Sequence, residues 1–118
     1  MKIVIVDDTN FSLQVVVKMV RHKYKDDDVL TFLDPREAME EIRENGADLL
    51  ISDIEMPNIM GTELARTVRE HNPDIKIILM SGDIPAEKID APHDAFLAKP
   101  FGIKELCEAV EKLIAEQD

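Results

Sequence analysis

The sequence has no tryptophan, one tyrosine and one cysteine. With Cys107 as the single thiol, an internal disulfide is excluded. Basic residues are also scarce: 14 Lys and Arg stand against 25 Asp and Glu, a net charge of -11. No basic surplus exists to neutralise phosphates, which excludes nucleic acid as a direct ligand. A basic protein partner or a bound cation fits that charge better. Long apolar runs are absent as well. The N-terminal stretch Met-Lys-Ile-Val-Ile-Val-Asp-Asp meets an acid pair after a short apolar run. That run is too short for the apolar part of a signal peptide or for a membrane span. A soluble cytoplasmic protein with no membrane insertion is the expectation. There is no internal repeat, linker or low-complexity segment.

What is present is enough for one core. Hydrophobic residues make up 45% of 118 residues. That length fits one domain, expected to span 1–118, and leaves no room for a second of ordinary size. Leu49, Leu50 and Ile51 form an apolar run without polar alternation, as does Ile3 to Val6. Such runs suit strands covered on both faces, as in a parallel sheet. Val29 to Leu33, Ile75 to Met80 and Ala95 to Ala98 read as three more strands. Between them, helical spacing is clear. Phe11, Val15 and Met19 form one row, with Leu13, Val16, Val17 and Val20 beside it. Lys25 to Asp28 reads as a solvated charged loop. Asp34 and Pro35 start a second helix, with Glu37 placed to complete a capping-box-like pair, and Asn45-Gly46 stops it. Ala38, Met39 and Ile42 are its core face. Leu64, Ala65 and Val68 mark a third helix. Ile103, Leu106, Val110, Leu113 and Ile114 mark a last one. Strand and helix alternate throughout, which implies an α/β fold with helices on both faces of a parallel sheet.

In such sheets ligands bind beyond the carboxyl ends of the strands. The first strand ends in Asp7-Asp8, the third in Asp53, the fourth in Ser81 and the fifth in Lys99. Three carboxylates gathered at one rim would repel one another. A hard divalent cation relieves that repulsion, and Mg²⁺ prefers such oxygens while leaving positions for a phosphate. A hydroxyl and an ammonium then make sense as donors to phosphoryl oxygens. An aspartate can itself accept a phosphoryl group as an acyl phosphate.

These residues, as a set, are those of a known family. Val-Asp-Asp at 6–8, Asp-Ile-Glu-Met-Pro at 53–57 followed by Gly61, Met-Ser-Gly at 80–82 and Lys-Pro-Phe at 99–101 resemble the receiver domains of two-component response regulators, the chemotaxis-regulator-like kind. The resemblance covers essentially the whole chain. It implies a flavodoxin-like, doubly wound, five-stranded sheet in the order 2-1-3-4-5. It implies Asp53 as phosphoacceptor for a sensor histidine kinase or a histidine phosphotransfer protein. Mg²⁺ would be held by Asp7, Asp8, Asp53 and the backbone carbonyl of Glu55. Ser81, Gly82 and Lys99 would bind the phosphoryl group, and the Lys99–Pro100 peptide would be cis. Such a protein is a signalling switch rather than an enzyme, and no output domain is expected in this length. Gly61 reads as a source of backbone freedom near the site.

Two features depart from the family pattern. The aromatic switch position is often tyrosine, and here it is Phe96, readable as a switch partner of Ser81 or as an ordinary core aromatic. The stretch from Ser81 to Lys99 is about one helical turn shorter than usual. Pro85 and Pro92 bracket only Ala86 to Ala91, so the fourth helix is expected to be short or irregular. Two other functions fit the residues less well. A phosphohydrolase of the haloacid-dehalogenase kind wants a second Asp two residues after the nucleophile, and position 55 is Glu. A flavodoxin-like electron carrier wants a Ser/Thr/Gly-rich phosphate loop after the first strand, and none follows. His22, His71 and His93 lie apart and suggest no metal site; Cys107 reads as a helix-packing residue.

Overall fold

The computed structural model describes residues 1–115; residues 116–118 of the expected domain lie outside the described part. The chain runs β1 (Lys2–Val6), α1 (Asn10–Lys23), β2 (Asp28–Phe32), α2 (Pro35–Asn45), β3 (Leu49–Asp53), α3 (Gly61–His71), β4 (Lys76–Ser81), a 3-10 turn (Ala86–Lys88), β5 (Ala95–Ala98) and α4 (Ile103–Ala115). All strand pairs are parallel, in the order β2-β1-β3-β4-β5. The order and the fold class are those expected.

The unbroken apolar runs have a simple cause. Side chains alternate across a strand, so a strand buried on both faces needs apolar residues at every position. Ile3, Ile5, Leu49 and Ile51 enter one core layer beneath α1 and α4, with Leu13, Val16, Leu106 and Val110. Val4, Val6 and Leu50 enter the other, beneath α2 and α3, with Ile42, Leu64 and Val68. Because every strand runs the same way, all five carboxyl ends reach one rim. Among the described residues, no helix is long and apolar enough to cross a membrane.

The local structure adds to the expectations at some points and departs from them at others. In α1 the row Leu13, Val16, Val17 and Val20 is buried, whereas Phe11 is 82% exposed and Val15 38%. A helix on a sheet presents one stripe to it, so Phe11 and Val15 of the second row face outward, while Met19 packs against the edge of the core. The Lys25 to Asp28 loop is not wholly solvated: Asp27 takes an ion pair from the N-terminal amine at 3.0 Å, and Asp28 begins β2. Asp34 caps α2, but its carboxylate accepts from the backbone N–H of Arg36 at 2.9 Å and also holds the Arg36 guanidinium. Glu37 joins the cap through its backbone, its N–H donating to the Asp34 carbonyl at 3.1 Å. Gly46, at φ +73°, ends the helix in the left-handed region that glycine tolerates best.

The connection from β4 to β5 contains only the 3-10 turn, as its length and prolines foretold. It is nonetheless held down. Ile84, Ile89 and Ala91 pack against the α2–α3 layer. The Arg66 guanidinium donates to the Asp90 carbonyl. Arg69 pairs with Asp94 at 2.7 Å, and Asp94 also accepts from the Ile77 backbone N–H at 2.8 Å.

Candidate functional site

The rim at the carboxyl ends of β1, β3, β4 and β5 gathers the ionisable residues singled out above. Asp7 follows β1 and is 1% exposed; Asp53 closes β3 and is 6% exposed. Asp8 is more accessible. One carboxylate oxygen from each of Asp7, Asp8 and Asp53 lies within 4.8 Å of the others. The Lys99 ammonium reaches across from the end of β5, 3.3 Å from Asp53 Oδ1 and 3.5 Å from Asp7 Oδ2. The Lys99–Pro100 peptide is cis.

Buried carboxylates need partners. Asp7 Oδ1 accepts from the Thr9 backbone N–H at 3.1 Å, and Asp53 Oδ1 accepts from the Ile54 backbone N–H at 3.1 Å. These are few hydrogen bonds for two charges so close together. Burial pushes the Asp53 carboxyl up to about 6, against the pull of Lys99 and with the repulsion of Asp7 and Glu55 added. One ammonium does not balance this set, and the oxygens suit a hard divalent cation.

Ser81 ends β4 with 1% exposure. Its hydroxyl donates to Glu55 Oε1 at 2.6 Å and accepts from the backbone N–H groups of Asp83 at 3.1 Å and Ile84 at 2.9 Å. Gly82 is exposed beside it. Phe96 is half-buried against the α2–α3 layer and lines a cleft of about 660 Å³ together with Ser81, Ile84, Ala86 and Ala98. The expected part of Glu55 in the metal site is its backbone carbonyl; its side chain on Ser81 is a contact the sequence does not point to. The signal available was a carboxylate near a strand-end hydroxyl in a shared rim.

Gly61 has a different role from the one expected. A Cβ there would lie 2.9 Å from the Asp53 carbonyl carbon and 2.9 Å from Ile54 Cα, and closer still to the Asp53 carbonyl oxygen. Its φ is not positive, and its N–H donates to the Ile54 carbonyl at 2.9 Å. It is glycine because the N-terminus of α3 abuts the backbone of the site, not because the chain needs freedom.

The family model for the response regulator receiver domain matches residues 3–111. The chain belongs to the response regulator receiver family. Receiver domains are signalling switches of two-component systems. This receiver chain is 40% identical over 81 residues to the response regulator receiver protein CpdR of Brucella abortus, a match covering 65% of this chain and 68% of CpdR. It is 40% identical over 90 residues to the sensor kinase CckA of the same organism, covering 70% of this chain but 9% of the kinase. The receiver chain also spans about half the length of two further curated regulators that it matches. Among solved structures, a CheY-like receiver domain protein from Methanospirillum hungatei superposes with a TM-score of 0.88 at 26% identity, covering 98% of this chain and 94% of that one.

Proposed function

We propose that this receiver accepts a phosphoryl group on Asp53 from a phosphohistidine of a sensor kinase or histidine phosphotransfer protein. The observation that carries the reading is the meeting of three strand-end carboxylates within 4.8 Å, with Lys99 bridging the two buried ones. An Asp53 carboxylate oxygen attacks phosphorus, the N–P bond of the donor breaks, and its electron pair stays on the imidazole, which then takes a proton. Such transfers depend on position and charge more than on covalent help from the protein. Lys99 lies where it can donate to a phosphoryl oxygen on Asp53. Ser81 and the exposed backbone at Gly82 flank the same rim.

The residues fit Mg²⁺. Asp7, Asp8 and Asp53 offer carboxylate oxygens, and Glu55 offers its backbone carbonyl. Burial and the neighbouring Asp7 push the Asp53 carboxyl up against the pull of Lys99, and a divalent cation beside it would favour the charged form. Bound there, Mg²⁺ would neutralise the acceptor and the incoming phosphoryl oxygens. The downstream effect is a changed surface around Ser81, the 82–92 connection and Phe96, read by a partner protein.

A donor must reach Asp53 from outside. Phe11, Val15, Met19, Pro100 and Phe101 line an apolar groove of about 320 Å³ that also includes Lys99. A histidine-bearing helix resting there would face the site, and the outward apolar row of α1 suits such a partner.

Acetyl phosphate with Mg²⁺ tests the reading. Intact mass is expected to rise by one phosphoryl group, and chelation of the metal or Asp53→Asn is expected to abolish the gain. Full labelling of Asp53→Asn would overturn the assignment.

A further inference from the structure

The Ser81 hydroxyl has no bonding capacity left over. A serine hydroxyl carries one proton to donate and two lone pairs to accept. Here the proton goes to Glu55 Oε1 at 2.6 Å, a short bond of the charge-assisted kind, and the lone pairs take the Asp83 and Ile84 N–H groups. Any new acceptor on Asp53 therefore competes with Glu55 for a single proton.

We propose that the Glu55 side chain is the latch of the switch, a positioning residue that holds Ser81 in its resting place until a phosphoryl oxygen takes the hydroxyl proton away. The inference rests on Asp53 being the acceptor. The same hydroxyl shapes the turn after β4, since Asp83 and Ile84 bond to it. When Ser81 rotates toward Asp53, it gives up all three bonds in one movement. The turn then loses its anchor, and Ile84, packed in the α2–α3 layer with Phe96, is free to shift. The large cleft between this turn and Phe96 leaves room for that shift. Here the connection is a 3-10 turn and the aromatic lacks a hydroxyl. Coupling is thus concentrated on one side-chain oxygen rather than spread over a helix and a phenol. A ligand shifts such an equilibrium only by its differential interaction with the two states, and Glu55 sets the resting side of that difference.

The latch predicts a coupling between two side chains that charge alone does not produce. Beryllofluoride with Mg²⁺ is the probe, its affinity measured by calorimetry and fluorine NMR. Glu55→Gln removes the charge but keeps an oxygen that can accept from Ser81, whereas Glu55→Ala removes both. With Ser81 present, Glu55→Ala is expected to bind the probe about tenfold tighter than Glu55→Gln. In Ser81→Ala that gap is expected to fall below about twofold, as a double-mutant cycle requires of a direct contact. A gap of the same size with and without Ser81 would overturn the latch. A second measurement needs no ligand. In the metal-free protein, amide exchange at Asp83 and Ile84 is expected to quicken about threefold in Glu55→Ala and to stay at the wild-type rate in Glu55→Gln. Unaltered exchange in both variants would contradict the proposal. Wild-type protein that takes up neither beryllofluoride nor a phosphoryl group would remove the acceptor reading and the latch together. Normal uptake without the Ser81-dependent gap would remove the latch alone.

Discussion

Gly61 sits against the backbone of Asp53. A Cβ on residue 61 would come within 2.9 Å of the Asp53 carbonyl carbon, with backbone rather than a flexible side chain in its way. The start of α3 and the end of β3 are thereby locked to one spacing, which sets the position of the Asp53 carboxylate. Gly61→Ala is expected to force the two apart, at a cost on the order of 3 kcal/mol in denaturant unfolding. It should also slow phosphorylation of the protein that remains folded. A variant of wild-type stability would show that the contact yields without strain.

Asp53 weakens the fold at neutral pH. Its carboxyl is pushed up to about 6 in the folded protein, above its ordinary value of 3.8. Between those two values the native state holds more protons than the unfolded state. Stability therefore falls as pH rises through that window, and the loss is complete above about 6. In metal-free buffer, Asp53→Asn is expected to stabilise the protein at pH 7.5 by on the order of 2 kcal/mol. That gain should fade below pH of about 4. Thermal unfolding across the range checks this. A gain that persists undiminished in acid would mean that the effect is not electrostatic.

Phe11 separates two routes to the same aspartate. It is 82% exposed on α1 and lines the groove beside Lys99, so its removal leaves the core untouched. Phe11→Ala is expected to slow transfer from a phosphorylated histidine protein about tenfold, the loss typical of an aromatic anchor at an interface. Acetyl phosphate needs no docking surface, and its rate should change by less than about twofold. Equal slowing with both donors would place Phe11 in the chemistry instead.

Most of this architecture was legible because it rests on strand-scale patterning. Apolar runs such as Ile3 to Val6 and Leu49 to Ile51 can be satisfied only by two covered faces, and the parallel order then brings Asp7, Asp53, Ser81 and Lys99 to one rim. What was not legible is side-chain choice within a fixed frame. Phe11 and Val15 share the helical period of the buried row, and period alone does not say which of two adjacent rows meets the sheet. At the cap of α2 the Asp34 carboxylate is held by the Arg36 backbone N–H and guanidinium, a partner two residues on that the capping-box pattern with Glu37 does not point to. Gly61 is set by a close approach of the Asp53 backbone, which joins residues eight positions apart and leaves no local signal in the sequence. The Glu55 to Ser81 bond joins the segment after β3 to the end of β4, and strand patterning places both at one rim without saying which side chains there meet.

Trapping the acyl phosphate tests most directly whether Asp53 carries the phosphoryl group. After exposure to acetyl phosphate and Mg²⁺, borohydride reduction converts an aspartyl phosphate to homoserine, and peptide sequencing by mass spectrometry locates the change. Homoserine is expected at position 53, absent without Mg²⁺ and absent without the phosphodonor. Homoserine at position 7 or 8 with Asp53 intact, or a phosphoryl group found on Ser81 instead, would contradict the assignment.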